Sequence, residues 1–133
     1  MDECDKVFVY GSLKKGWVNN RLLMSSTLLQ SNAVTKDKYG LLNVGFPYMI
    51  PEHRFPEDMQ EEYCKQVQGE LYQMKNENTL RALDFLEGEG SHYDRRLILL
   101  EDNTECWTYL LLQGAPYEIN KCNLTTEGYW LWA

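Results

Sequence analysis

Long apolar runs are missing from this sequence: none approaches the ~18–20 residues that a bilayer-spanning helix needs. Residues 1–5 are acidic and polar, and they lack the positive segment followed by an apolar run that marks a secretory signal. Basic residues are also scarce, since 13 Lys and Arg stand against 20 Asp and Glu and leave a net charge of −7. We therefore predict that the protein binds neither membranes nor nucleic acid.

Metal-binding and disulfide patterns are missing as well. The two histidines, His53 and His92, have no histidine four residues away and no neighbouring cysteine, so we predict no zinc site. The four cysteines are widely spaced and contain no CxxC pair. We expect them to be free thiols, and we predict a cytoplasmic location.

Apolar residues make up 44% of the 133 residues and aromatic residues 13%, which is enough for a packed core. A chain of this length is typically one domain that buries roughly two-thirds of its unfolded surface. No internal repeat or low-complexity segment divides it. We predict a single domain over residues 1–133.

Strand patterns outnumber helical ones. The predicted strands are rich in β-branched or aromatic residues or alternate in polarity, and they cover residues 7–10, 33–34, 39–42, 46–51, 67–74, 97–100 and 106–112. One short helix is predicted within residues 19–29, and another between the N-cap Asn76 and the helix-terminating Gly88. The acidic stretch 52–65 is predicted to be a solvated loop, and the aromatic tail 120–133 to pack on the body.

The first specific pattern follows the strand at residues 7–10, which Gly11 ends. Backbone N–H groups in a glycine-containing loop at the carboxyl end of a strand can bind an anion. The G-x-S-x-G elbow of serine hydrolases is absent, so we interpret Ser12 as the source of a backbone amide or a turn hydrogen bond, not as a nucleophile. Lys14 and Lys15 are expected to be solvated.

The second specific pattern is Leu83-Asp84-Phe85-Leu86-Glu87-Gly88, followed by Tyr93-Asp94-Arg95. Asp84 and Glu87 are three residues apart and lie roughly on one face of the predicted helix. Glu87 comes just before the helix stop, where the negative end of the helix dipole and any burial should raise its pKa. On spacing alone, an exposed carboxylate in the last turn is the simpler interpretation.

Both patterns resemble motifs of the γ-glutamyl cyclotransferase-like family. The string from Tyr10 to Gly16 resembles the opening motif of that family, and its continuation at residues 19–23 is most similar to the γ-glutamylamine branch. Residues 67–72 resemble the strand that precedes the second helix. The Leu-Asp-x-x-Glu stretch with the later Tyr-x-Arg resembles the segment that supplies the catalytic glutamate. The resemblance covers residues 6–25, 67–74, 80–97 and 106–111.

The resemblance implies an α+β fold, a small mixed β-barrel with flanking helices. It also implies an enzyme that releases 5-oxoproline from a small γ-glutamyl substrate. Glu87 is then the catalytic carboxylate, while Glu89 has no counterpart in the motif. The implied substrate-binding residues are Tyr10, Gly11, Ser12, Leu13, Tyr93 and Arg95. For Arg95 an ion pair that braces the turn, with Asp94, Asp84 or a neighbour, is the first interpretation and substrate contact the second.

A γ-glutamyl amine carries its own nucleophile, because the α-amine can close a five-membered lactam on the γ-carbonyl. Such intramolecular attack reaches effective molarities of about 10⁵–10⁸ M, so the protein must mainly fold the substrate and move protons. The loop at residues 10–13 would hold the α-carboxylate and Glu87 would move the protons. No metal and no organic cofactor is needed.

Two other functions stay open: a cyclotransferase for γ-glutamyl dipeptides or glutathione-related peptides, and a γ-glutamyl-binding domain without turnover. Both a monomer and a homodimer are compatible with the sequence. We expect the acidic stretch and the tail to hold the substrate specificity.

Overall fold

The computed structural model describes residues 4–43, 47–87, 93–111 and 122–132. Within these ranges the strands are β1 (Lys6–Val9), β2 (Thr27–Val34), β3 (Tyr39–Asn43), β4 (Pro47–Pro51), β5 (Cys64–Lys65), β6 (Gln68–Gln73), β7 (Asp94–Leu99), β8 (Glu105–Leu110), β9 (Asn123–Leu124) and β10 (Trp130–Leu131). The helices are α1 (Glu57–Tyr63) and α2 (Glu77–Glu87), with 3-10 helices at Val18–Leu23 and Glu52–Arg54. The predicted α+β class is confirmed.

Strand β1 lies at the centre of a five-stranded mixed sheet with the order β2-β6-β1-β8-β7. It pairs antiparallel with β6 and parallel with β8, so both of its edges are hydrogen-bonded within the sheet. Val7, Phe8 and Val9 are each at most 2% exposed. A strand without a solvent-facing side needs a continuous apolar run, which is the pattern that predicted it. The carboxyl end of β1 therefore delivers Tyr10 into the interior.

The edge strands of this sheet meet at one end. Thr35, which follows β2, forms an isolated antiparallel bridge with Leu100, which follows β7. The Lys36 amide donates a hydrogen bond of 2.9 Å to the Leu99 carbonyl beside this bridge. The sheet thus curls towards the predicted barrel, although the strand pairings among the described residues do not close it along its whole length.

A three-stranded sheet with the order β4-β3-β5 and the pair β9-β10 complete the described strands. The Leu111 amide donates to the Met49 carbonyl at 2.9 Å, which joins the end of β8 to β4. Trp130 and Trp132 are buried, so the tail packs on the body as predicted for its described part.

The predicted first helix is wrong in its second half. Helical structure ends at Leu23, and residues 27–29 belong to β2. The apolar pairs 22–23 and 28–29 fit a helical period, but Leu28 pairs with Tyr72 of β6. Pairing with a strand 44 positions away overrides the local pattern.

The acidic stretch 52–65 is not a loop, because it contains α1. Pro56 precedes the first turn, and Glu57 and Asp58 lie at the helix end that favours negative charge. The rings of Phe55 and Tyr63 stack at 5.7 Å between centroids across the helix. The sequence of α1 has no apolar face that would predict a helix, because none of the residues of α1 is buried.

All four cysteines lie in the described part of the chain, are buried and form no disulfide, as predicted. The cytoplasmic location stays a prediction. Among the described residues, no helix combines the length and the apolar character needed to cross a membrane. Nor does any cluster of three or more His, Cys, Asp or Glu side chains suited to a metal ion occur in these ranges.

Candidate active site

A cavity of about 590 Å³ brings the two specific sequence patterns together. The loop residues Tyr10–Leu13 line it, and so do Glu87 and Tyr93. These residues lie more than 70 positions apart in the chain, and the fold alone makes them neighbours. The roles assigned to them in substrate binding and proton transfer stay predictions.

The loop at residues 10–13 is held by its own neighbours, and its amides are left available. The Lys14 amide donates to the Gly11 carbonyl at 2.9 Å, which closes a turn. Asn19 donates to the Ser12 hydroxyl, and Asn20 to the Leu13 carbonyl, both at 2.8 Å. Within the described ranges the amides of residues 11–13 donate no hydrogen bond. In the described part of the chain these amides thus have no internal acceptor, and their role in binding an anion stays a prediction.

Gly11 is required by a close approach of the opposite wall. A Cβ atom at this position would lie 2.7 Å from Pro47 Cγ and 3.2 Å from its Cδ. A proline ring cannot rotate away, so any side chain at position 11 must displace the loop or the wall.

Glu87 is the last residue of α2. The helix begins as predicted, because the Asn78 amide donates to the Asn76 side chain at 3.0 Å. Leu80 and Leu83 are buried and fix its inner face against the core. Burial of the Glu87 carboxyl raises its pKa to about 7, in the predicted direction. A group that titrates near neutrality can both accept and return a proton.

Two buried tyrosines stand beside Glu87. The Tyr10 hydroxyl donates to the Tyr109 carbonyl at 2.5 Å, and the Tyr93 hydroxyl donates to the Pro47 carbonyl at 2.9 Å. Burial raises the pKa of both phenols well above the ordinary value, and the nearby Glu87 adds to the effect. Both tyrosines are therefore neutral and rigidly oriented walls of the cavity.

Arg95 is not among the described residues that line the cavity. Its Nη1 lies 2.6 Å from Asp84 Oδ2, and its guanidinium stacks over the Trp107 ring at 4.6 Å. The other Asp84 oxygen accepts a hydrogen bond of 2.6 Å from the Tyr109 hydroxyl. Because Tyr109 lines the cavity, Arg95 is linked to the site through Asp84 and Tyr109, as the bracing interpretation expects, and its role in substrate binding stays a prediction.

Replacing Asp84 with Asn tests this brace. One amide cannot accept both donors, so we expect the free energy of unfolding to fall by about 1.5–3 kcal/mol, the range for hydrogen bonds to charged groups. Thermal and urea unfolding measure it. Glu77→Gln removes the exposed Arg81–Glu77 pair at 3.2 Å and is the control, with an expected loss of about 0.3–0.5 kcal/mol. Equal losses would contradict the brace.

Several lining residues were not singled out from the sequence: Trp17, Asn19, Pro47, Tyr48, Tyr109 and Trp132. Trp17, Asn19 and Tyr109 lie in segments that the family resemblance covers, but no role was assigned to them, and the other three carry no local signal. The prediction that Lys14 is solvated is wrong, because this residue is buried. Its Nζ donates to the Trp132 carbonyl and ties the loop to the tail.

A second, more voluminous cavity of about 910 Å³ shares no lining residue with the first. Lys36, Lys38, Arg54 and Arg96 lie along it. Neither specific sequence pattern contributes to its walls, so we place the candidate site in the 590 Å³ cavity.

Comparison with known proteins decides the family. Residues 7–131 match the family described as gamma-glutamyl cyclotransferase, AIG2-like. The chain belongs to this family. A gamma-glutamylaminecyclotransferase C of Danio rerio is 36% identical over 104 residues, 71% of this chain and 61% of that protein. A gamma-glutamylcyclotransferase family protein of Escherichia coli K12 is 28% identical over 127 residues, 95% of this chain and 96% of that protein.

Solved structures agree with the family assignment. An AIG2-like protein from Mus musculus superimposes with a TM-score of 0.63 at 21% identity, over 92% of this chain and 97% of that one. The ytfP protein of Escherichia coli gives a TM-score of 0.56 at 30% identity, over 82% and 84% of the two chains. The sequence resemblance and the fold thus lead to one family of cyclotransferases.

Proposed function

We propose that this cyclotransferase acts on γ-glutamyl amines and releases 5-oxoproline and an amine. One observation carries the proposal: Glu87, whose pKa burial raises to about 7, lines the same cavity as residues 11–13, whose amides donate no hydrogen bond within the described ranges. The substrate needs both features, because its α-carboxylate needs an anchor and its α-ammonium must lose a proton.

The reaction follows from these two groups. Ionised Glu87 takes a proton from the α-ammonium, and the α-amine attacks the γ-carbonyl carbon to form a new C–N bond. The tetrahedral intermediate collapses as the original amide C–N bond breaks. Protonated Glu87 gives this proton to the departing nitrogen, while the new ring nitrogen still carries the second proton of the former ammonium group. Glu87, ionised again, takes this second proton and passes it to the released amine, which leaves as an ammonium ion, so Glu87 ends in its initial state. Amides of residues 11–13 hold the α-carboxylate and orient the amine for ring closure.

The choice of amines over peptides rests on two observations. The continuation of the loop motif at residues 19–23 is most similar to the γ-glutamylamine branch, and a Danio rerio relative at 36% identity bears that branch's name. Asn19 and Asn20 of this segment brace the loop through Ser12 and Leu13. The segment therefore positions the substrate anchor.

The decisive experiment incubates the purified protein with γ-glutamyl amines, γ-glutamyl dipeptides and glutathione, and measures 5-oxoproline. We expect release from the amines at the highest kcat/KM. Preferred release from a dipeptide or glutathione would replace the amine specificity and keep the cyclotransferase chemistry. Binding of 5-oxoproline without turnover of any substrate would indicate a binding domain.

A further inference from the structure

The rim of the cavity carries exposed aromatic side chains. Phe85 is 91% exposed and Trp17 is 40% exposed, and both line the 590 Å³ cavity. Large apolar side chains that face solvent beside a cavity are typical of a binding surface. Met24 is 83% exposed and lines neither of the two cavities described above. It therefore supplies an equally exposed apolar residue outside the site.

Phe85 lies close to the predicted proton-transfer group. Phe85, Leu86 and Glu87 are consecutive residues of α2, and all three line the cavity. Consecutive side chains on a helix diverge by about 100°, so only the carboxyl end of the helix can place all three against one cavity. Phe85 therefore lies at the rim of the cavity that Glu87 also lines, two residues before it in the chain.

Trp17 is held from two sides. Its amide donates to the Lys14 carbonyl at 3.0 Å, and its ring contacts the Trp132 ring with 4.4 Å between centroids. The buried Lys14 side chain in turn donates to the Trp132 carbonyl. The result is an ordered aromatic surface beside the loop that would hold the α-carboxylate.

We propose that Phe85 and Trp17 form a subsite for the departing amine, and that this amine carries an aromatic group on an uncharged alkyl chain. The inference rests on the proposed function. The loop holds the glutamyl end, and Glu87 must reach the departing nitrogen, so the group on that nitrogen extends past Glu87 to its neighbour Phe85. Aromatic rings there favour a flat apolar substituent over a carboxylate, because the faces of the rings carry negative partial charge.

A substrate series tests the specificity. We expect kcat/KM for γ-glutamyl benzylamide to exceed that for γ-glutamyl-alanine and for Nε-(γ-glutamyl)lysine by at least about tenfold. Equal or lower values for the benzylamide would overturn the subsite and leave the cyclotransferase function intact. If no substrate releases 5-oxoproline, the proposed function fails, and the binding measurement below still decides on the subsite.

Side-chain variants localise the effect. We expect Phe85→Ser to raise KM for the benzylamide about tenfold and to leave γ-glutamyl-alanine within about twofold, because only the apolar contact is lost. Phe85→Tyr should restore KM, and Met24→Ser is the matched exposed control. The melting temperature of Phe85→Ser should stay level, since the side chain is 91% exposed.

Binding provides the readout that is independent of turnover. Isothermal titration of γ-glutamyl benzylamide into Glu87→Gln should give a Kd that the added Phe85→Ser weakens about tenfold, and that the added Met24→Ser leaves unchanged. An unchanged Kd in the Phe85→Ser double variant would overturn the proposal.

Discussion

Glu87→Gln should reduce kcat by about 10²–10⁴-fold, the usual loss when a general acid-base group is removed. Glutamine keeps the volume of the side chain but cannot accept and return a proton. Binding of 5-oxoproline should survive, because in the proposed mechanism its carboxylate is bound by the loop amides of residues 11–13 and not by Glu87. Measured 5-oxoproline release and the Kd of 5-oxoproline check the two halves of this prediction.

The control for this variant is Glu89→Gln, a carboxylate two positions further along that lies outside the described residues. It should turn over near the wild-type rate. Activity retained in Glu87→Gln but lost in Glu89→Gln would show that the wrong carboxylate was chosen. Activity in both variants would contradict acid-base catalysis by either group.

The Glu87→Gln variant should be more stable than the wild type at alkaline pH. Burial raises the pKa of Glu87 from about 4.5 in the unfolded chain to about 7 in the folded protein. The folded state therefore holds the proton more tightly, and wild-type stability declines as pH rises from about 4.5 through about 7. Above that range the loss is about 3 kcal/mol at most. Urea unfolding of both proteins at pH 4 and pH 8 should show equal stability at the first and a more stable variant at the second.

Wild-type activity should show the matching pH dependence. The attack needs ionised Glu87, so kcat/KM should rise as the pH increases towards about 7. A profile that is flat from pH 5 to pH 8 would mean that Glu87 is not the base.

The parts of the fold that could be predicted are those in which the local sequence is compatible with only one secondary structure. Residues 7–9 lie in strand β1 because an unbroken run of β-branched and aromatic residues fits a fully covered position, while the predicted last residue, Tyr10, lies just beyond the strand. Asn76 fixes the start of α2 through its own side chain. By contrast, residues 27–29 became a strand because β6 offered a partner, and no local pattern encodes a distant partner.

The same distinction holds for the site. Glu87 and the loop at residues 10–13 could be found because each lies in a contiguous motif. The cavity walls at Pro47, Tyr109 and Trp132 come from three separate segments, and the fold alone gathers them. The sequence predicted an ion pair of Arg95 with Asp94, Asp84 or a neighbour, and the fold selects Asp84, since several carboxylates close in sequence leave the choice to the rest of the chain.

The second large effect is expected for Gly11→Ala. The new methyl group would lie 2.7 Å from Pro47 Cγ, a contact that real Cβ atoms do not make, so the loop must move. Displacing a substrate anchor by about 1 Å can cost 10²-fold in rate. We therefore expect kcat/KM to fall about 10²-fold and the free energy of unfolding to fall by about 1–3 kcal/mol, as overpacking does.

Ser12→Ala separates the backbone from the side chain in this loop. It deletes the hydroxyl that accepts the 2.8 Å hydrogen bond from Asn19 but keeps the amide of residue 12. If the loop acts through its amides, Ser12→Ala should lower kcat/KM only a few-fold, since one hydrogen bond contributes about 0.5–1.5 kcal/mol. Gly11→Ala should remove most of the activity. A Ser12→Ala variant as inactive as Glu87→Gln would make the Ser12 hydroxyl, and not the loop amides, the group that the reaction needs.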